Sequence, residues 1–179
     1  MLIRPFFTFS GSTISKLATW ATGKPWGHTG IVFECSNAKQ FEAFEARSDQ
    51  GFVGPYDFNK TVDYITKRHG RILLVNHLSI DGYDAASVYD RACSMAADGN
   101  ISYSKPQLAL MFLFERYGIK FRPSKNKIVC SEAIARLLYP FIDLRDVNHP
   151  TFDTVTPNSA YYRICEIQAG YQAGALPNK

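Results

Sequence analysis

No stretch of the 179-residue chain approaches the eighteen or more consecutive apolar residues that a membrane-crossing helix needs; the run Leu108 to Phe114 is seven long. A transmembrane segment is therefore not expected. The N-terminus, Met1-Leu-Ile-Arg-Pro-Phe-Phe-Thr-Phe, is broken by Arg4 and Pro5 and has neither a charged leader nor a small-residue cleavage site. It reads as mature protein, and a cytoplasmic location is the expectation. Four cysteines, Cys35, Cys93, Cys130 and Cys165, are scattered with no CxxC pair, which argues against a disulfide scaffold or a zinc ribbon. His69, His77 and His149 share no metal-ligand spacing with a cysteine or a carboxylate pair, so neither a metal nor another cofactor is expected. Charge excess is small as well. Twenty basic and 16 acidic residues give +4, not concentrated on one helix, and no aromatic-basic motif of an RNA or DNA reader occurs, so nucleic acid is not an expected partner. Internal repeats and low-complexity tracts are missing too.

What remains is the composition of a globular domain, 46% hydrophobic and 20% charged. One domain over residues 1–179 is expected, with 170–179 as a loose tail. Aromatic content is 14%, which suits a sheet-containing core or an aromatic-lined cleft. The pattern is α+β. Strands are expected at Ile3 to Phe9, Trp26 to Glu34, Gln40 to Ala46 and Arg71 to Val75, with a hairpin turn at Ser36 to Lys39. A loop through Gly51, Gly54 and Pro55 leads to a polar stretch. Helices are expected at Ile14 to Ala21 behind a Ser12 cap, at Asp84 to Ala97 capped by Asp81 or Asp84, at Pro106 to Tyr117, and from Cys130 to Leu138. Tyr161 to Ile167 reads as a last strand.

Cys130 stands at the start of its helix, where unpaired N–H groups and the positive end of the dipole favour a thiolate. His28 lies on a strand between Gly27 and Gly30, residues that leave room for a substrate or a second side chain beside the imidazole. Nucleophilic cysteine chemistry needs such a base and a third polar group to orient it. Glu45, on the neighbouring strand, can be that group; a register slip of one residue would present Glu42 or Phe44 instead. The alternatives are ordinary: a core cysteine, a satisfied core histidine and a solvated glutamate.

Trp26-Gly-His-Thr-Gly-Ile-Val-Phe-Glu34, followed by Phe44-Glu45-Ala46, Gly51-Phe-Val and much later Val129-Cys130-Ser131-Glu132, resembles the circularly permuted NlpC-type papain-like family. That family includes the YiiX-like proteins and, more distantly, lecithin retinol acyltransferase. In it the histidine strand precedes the cysteine helix, the reverse of papain, and the order here is the same. Ser12 to Thr22 resembles its helix before the histidine strand, the Tyr103 region its Gly-x-x-Tyr segment, and Thr156-Pro157-Asn158-Ser159 its Thr-Pro turn. The likeness spans roughly residues 10 to 165. Two departures bear on substrate class: the opening strand lacks the family's Gly-Asp pair, and Ser104 stands where an Asp often follows the Tyr.

The resemblance implies an antiparallel sheet or partial barrel packed against helices, with the Cys130 helix facing the sheet. It makes Cys130 the nucleophile, His28 the base and later acid, and Glu45 the orienting residue. The implied activity is cysteine-dependent hydrolysis of an amide bond, peptide or peptidoglycan-type, through an acyl-enzyme. A lipid-directed acyltransferase or ester hydrolase and a non-catalytic binding module are the alternatives. Expected partners are accordingly a small peptide, a cell-wall fragment or a lipid amide or ester. Tyr103 is a candidate oxyanion or substrate contact beside the Cys130 N–H, with core packing as the alternative. Trp26 and Trp20 flank the histidine strand and are candidates to line a cleft. Lys120 to Lys127 is a basic stretch that reads as a solvated loop, or, with Lys127 nearest the cysteine, as a receiver for an anionic substrate group.

Overall fold

The computed structural model describes residues 1–35, 40–118, 127–145 and 151–172. Five strands, β1 (Leu2–Phe9), β2 (His28–Cys35), β3 (Gln40–Arg47), β4 (Gly51–Asp57) and β5 (Arg71–Leu74), form an antiparallel sheet in the order β4-β3-β2-β1-β5. The sheet is open, with β4 and β5 at its edges, and not a closed barrel. Phe6 and Phe7 are adjacent in β1 and so point to opposite faces, yet both are fully buried. Both faces are therefore covered.

On the Phe7 face lie α3 (Gly82–Ala97) and α5 (Cys130–Leu138), with α6 (Pro157–Gln172) packed against α5. The cysteine helix thus faces the sheet, as expected. The Phe6 face is covered by α2 (Phe58–Lys67), whose Phe58 joins Phe6, Val32 and Ala43. Helices α1 (Thr13–Thr22) and α4 (Lys105–Tyr117) pack together through Ala18, Ala21, Leu108, Met111 and Phe112. A two-residue parallel pair, β6 (Ser102–Tyr103) with β7 (Lys127–Ile128), leads into α5.

Three expectations are corrected. The Gly51 to Pro55 loop is strand β4, an edge strand in which Gly54 and Pro55 together oppose Phe44 where the register shifts, as Gly and Pro do at bulges. The polar stretch after it is α2, because Phe58, Thr61 and Ile65 fall at helical spacing and are buried while Asp57 caps the first turn. Tyr161 to Ile167 lies inside helix α6, where Ala160 and Ile164, four apart, are both buried. Its start is a reciprocal cap: Ser159 N–H donates to Thr156 Oγ1 at 3.0 Å, Thr156 N–H to Ser159 Oγ at 2.9 Å, and Pro157 opens the helix. Residues 170–172 of the expected tail belong to this helix; 173–179, the turn at 36–39 and 119–126 lie outside the described residues.

Ser12 caps α1, accepting from Ser15 N–H at 3.2 Å. For α3 the choice between two aspartates falls on Asp81, which accepts from Tyr83 N–H at 2.9 Å and Asp84 N–H at 2.8 Å. Asp81→Ala is expected to lower the urea unfolding free energy by about 1 kcal/mol, and Asp84→Ala, which removes only a first-turn charge, by about half that or less.

Candidate active site

His28 is the first residue of β2, and Gly30 pairs with Glu45 of β3. Two residues along a strand return to the same face, so His28 and Glu45 are diagonal neighbours, and His28 Nε2 lies 2.5 Å from Glu45 Oε2. Glu42 points to the other face, where it accepts from Tyr89 OH at 2.6 Å. The register therefore selects Glu45. Its second oxygen, Oε1, accepts from Arg47 Nε at 2.7 Å and Tyr56 OH at 2.5 Å, and Thr61 Oγ1 donates to Tyr56 OH at 3.2 Å. A carboxylate held by three donors in a buried setting cannot rotate, and neither can the imidazole it holds.

Cys130 reaches this pair from the far face of the sheet, at the strand end. It opens α5 behind Val129, whose side chain makes no capping bond. Instead Glu132 reaches back to the Val129 N–H, half of a capping box. Gln107 Nε2 at 2.9 Å and Arg136 Nη2 at 2.8 Å fix Glu132 in turn. Near enough to the sulfur to lower its pKa are the His28 imidazole, the Thr29 backbone N–H and the Tyr103 hydroxyl. With Nε2 committed to Glu45, Nδ1 is the His28 nitrogen left for the thiol. Tyr103 arrives through the β6–β7 pair, which sets it beside Ile128, two residues before the cysteine. Cys130 itself is 0% exposed.

Burial alone would push the His28 imidazole down, but the Cys130 sulfur and the Glu45 carboxylate override it and hold the ring at about 10. Burial likewise opposes ionisation of Glu45; bonds from His28 and Tyr56 and the charge of Arg47 lower it to about 2. For Cys130 burial raises the thiol, and the His28 cation with the Thr29 and Tyr103 donors more than reverses this. Both shifts favour a thiolate–imidazolium pair. Tyr103 is pushed up, first by burial and then by the neighbouring thiolate, so its hydroxyl keeps its proton and donates.

The glycines beside His28 do not leave open space. A Cβ on Gly30 would lie 2.3 Å from the Phe6 ring, and one on Gly27 2.8 Å from Ser15 Cα. Their room is filled by the fold itself. Trp26 packs on Phe7 and Tyr161, with its backbone clamped by Asn158 at 3.2 Å and 3.0 Å, and Trp20 is 54% exposed beside Tyr117. Lys127 is exposed on β7. A cavity of about 500 Å³ does open beside the site, lined by His28, Glu45, Arg47 and Tyr103 and by residues of α1 and α2, not by either tryptophan or Lys127. Arg47, Tyr56, Thr61 and Glu132 are the site residues that sequence reasoning missed. Arg47 was accessible to it, two residues past Glu45 on the same strand face.

No protein-family model matches the chain. No curated protein is similar to it in sequence. Among solved structures it is similar to the metalloprotein YiiX of Escherichia coli O157:H7, DUF1105, at a TM-score of 0.60 and 14% identity over 90% of this chain and 91% of that one. At that identity the likeness establishes a shared fold, a YiiX-like α+β arrangement. No helix among the described residues is long and apolar enough to cross a membrane.

Proposed function

We propose that the protein is a cysteine-dependent hydrolase of the circularly permuted papain-like type that cleaves an amide bond, peptide or peptidoglycan-type, through an acyl-enzyme. The observation that carries this reading is the bond between His28 and Glu45, with Glu45 locked by Arg47 and Tyr56, together with a Cys130 thiol near enough to the imidazole to have its pKa lowered by it. The histidine strand ahead of the cysteine helix supports the permuted order. Cys130 Sγ attacks the carbonyl carbon, forming a C–S bond. As the C–N bond breaks, the imidazolium of His28 protonates the leaving nitrogen. A water then gives its proton to His28 and attacks the thioester carbon, the C–S bond breaks, and the thiolate is regenerated. The oxyanion is met by the Cys130 N–H at the start of α5 and by the Tyr103 hydroxyl, which turns from sulfur to carbonyl oxygen.

The similar solved structure is titled a metalloprotein. Here, among the described residues, no three His, Cys, Asp or Glu side chains converge on a metal position, and His28 Nε2 and Glu45 Oε2 are engaged with each other. These residues do not fit a metal, and the steps above use side chains alone.

Iodoacetamide labelling at pH 6, read by peptide mass spectrometry, tests the reading. Exposure alone ranks Cys130, fully buried, behind the half-exposed Cys35, Cys93 and Cys165. Thiolate character ranks it first. Cys130 is expected to label several-fold faster than the other three; Cys130 labelling last, or all four labelling alike, would overturn the proposal.

A further inference from the structure

Besides His28, Glu45 and Arg47, the cavity beside His28 is lined by polar and cationic groups that the chemistry above does not use. One face of α2 supplies Lys60, Thr61, Tyr64 and Ile65 to it, and Arg68 follows at the helix end. Neither Lys60 nor Arg68 forms an ion pair among the described residues. Arg68 instead lies over the Tyr64 ring at 4.3 Å, which holds the guanidinium at the cavity wall. The start of α1 supplies three serine hydroxyls: Ser10 Oγ lies 3.0 Å from Ser12 Oγ and 3.1 Å from Ser15 Oγ, and Ser12 Oγ donates to Ser15 Oγ at 3.3 Å. The first turn of α1 holds no acidic residue, so its positive end is not neutralised. Of the two acids in the lining, Glu45 is already bonded to His28, Arg47 and Tyr56, which leaves Asp49, on the turn between β3 and β4, to oppose the two cations. Ala46 and Ile65 are its only aliphatic residues. A long acyl chain finds no continuous aliphatic wall there, whereas a volume of about 500 Å³ suits a small molecule.

We propose that this cavity is an anion subsite, in which Lys60 and Arg68 with the α1 hydroxyls hold the phosphate or carboxylate of a small polar substrate whose acyl group extends past His28 and Tyr103 towards Cys130. The acyl part rests on the thiol chemistry proposed above; the anion part stands without it. Binding of phenyl phosphate, N-acetylglycine and neutral N-acetylglycinamide is measured by calorimetry at constant ionic strength, since exposed cations are screened by salt. In parallel, each probe's protection of Cys130 from iodoacetamide is read as a ratio to the same protein's unprotected rate. At about four times its Kd an anionic probe should slow labelling about fivefold, and Lys60→Gln/Arg68→Gln should weaken its binding at least tenfold. Asp49→Asn should tighten it. Phenyl phosphate binding more tightly than N-acetylglycine identifies a phosphate site, and the reverse a carboxylate site. If N-acetylglycinamide binds as well as the anions, or the double variant binds them as well as the natural chain, the subsite is refuted. Lys60→Glu is a second variant at an exposed position. Slow Cys130 labelling in every protein, together with calorimetric anion binding that Lys60→Gln/Arg68→Gln removes, would refute the thiol chemistry and leave the anion subsite standing.

Discussion

His28→Ala is expected to slow iodoacetamide labelling of Cys130 about 30-fold at pH 6, with the gap closing by about pH 9. A thiol with an ordinary pKa near 8.5 is only about 0.3% thiolate at pH 6. Cys130 is fully buried, so without the imidazolium its pKa would rise further. Starting from the fully formed thiolate of the proposed mechanism, removing the cation takes away more than two orders of magnitude of thiolate, and the greater nucleophilicity of a more basic sulfur returns about one. In the natural protein the imidazolium persists until pH approaches about 10, so labelling should stay nearly flat from pH 6 to pH 9. In the variant it should climb with the thiol's own titration. Equal profiles for the two proteins would mean that the ion pair does not set the sulfur's reactivity. Tyr103→Phe separates donor from cation: it removes the hydroxyl near the sulfur and leaves the charge, so its profile should shift far less than that of His28→Ala.

The parts of this site that could be read from the chain are those that depend on period. Alternation along Gln40 to Ala46 puts Glu42 and Glu45 on opposite faces, and the observed pairing of Gly30 with Glu45 decides between them. Cys130 at a helix start follows from the change of pattern after Val129. Its meeting with His28 does not, because that depends on a two-residue parallel pair joining Ser102–Tyr103 to Lys127–Ile128, too short to leave a periodic signal. Tyr56 is hidden for another reason. The register shift between Ala43 and Glu45 inserts a residue into β4 and returns Tyr56 to the Glu45 face, and bulges change parity without changing composition. Helix α2, which supplies Thr61 and much of the cavity, buries only Phe58, Thr61 and Ile65, so its sequence looks like loop. In α6 the run Tyr161-Tyr162-Arg163-Ile164 favours a strand locally, and the cap at Thr156 with the packing of Ala160 and Ile164 overrides it.

Glu45→Gln is expected to lower stability at pH 6 by about 3 kcal/mol, the low end for breaking a buried charged pair, because the His28 and Arg47 side chains are 24% and 39% exposed and can recruit water. Gln can still accept one bond, yet it leaves an imidazolium and a guanidinium without their shared counter-charge. The pH dependence carries the sign of the effect. Glu45 is lowered from 4.5 to about 2 on folding, so its contribution is complete above about pH 4.5 and is lost as pH falls through about 2. His28 is raised from 6.5 to about 10, so its contribution is complete below about pH 6.5 and is lost as pH rises through about 10. The difference between the natural protein and Glu45→Gln should therefore be widest between about pH 4.5 and 6.5. On the acid side it should shrink, with the two urea unfolding curves converging near pH 2. A constant difference down to that pH would show that Glu45 stabilises by packing and hydrogen bonding alone. Because Cys130 also raises His28, the imidazolium survives in Glu45→Gln with a looser ring. Labelling at pH 6 should then fall less than in His28→Ala, which identifies Glu45 as the residue that positions the base.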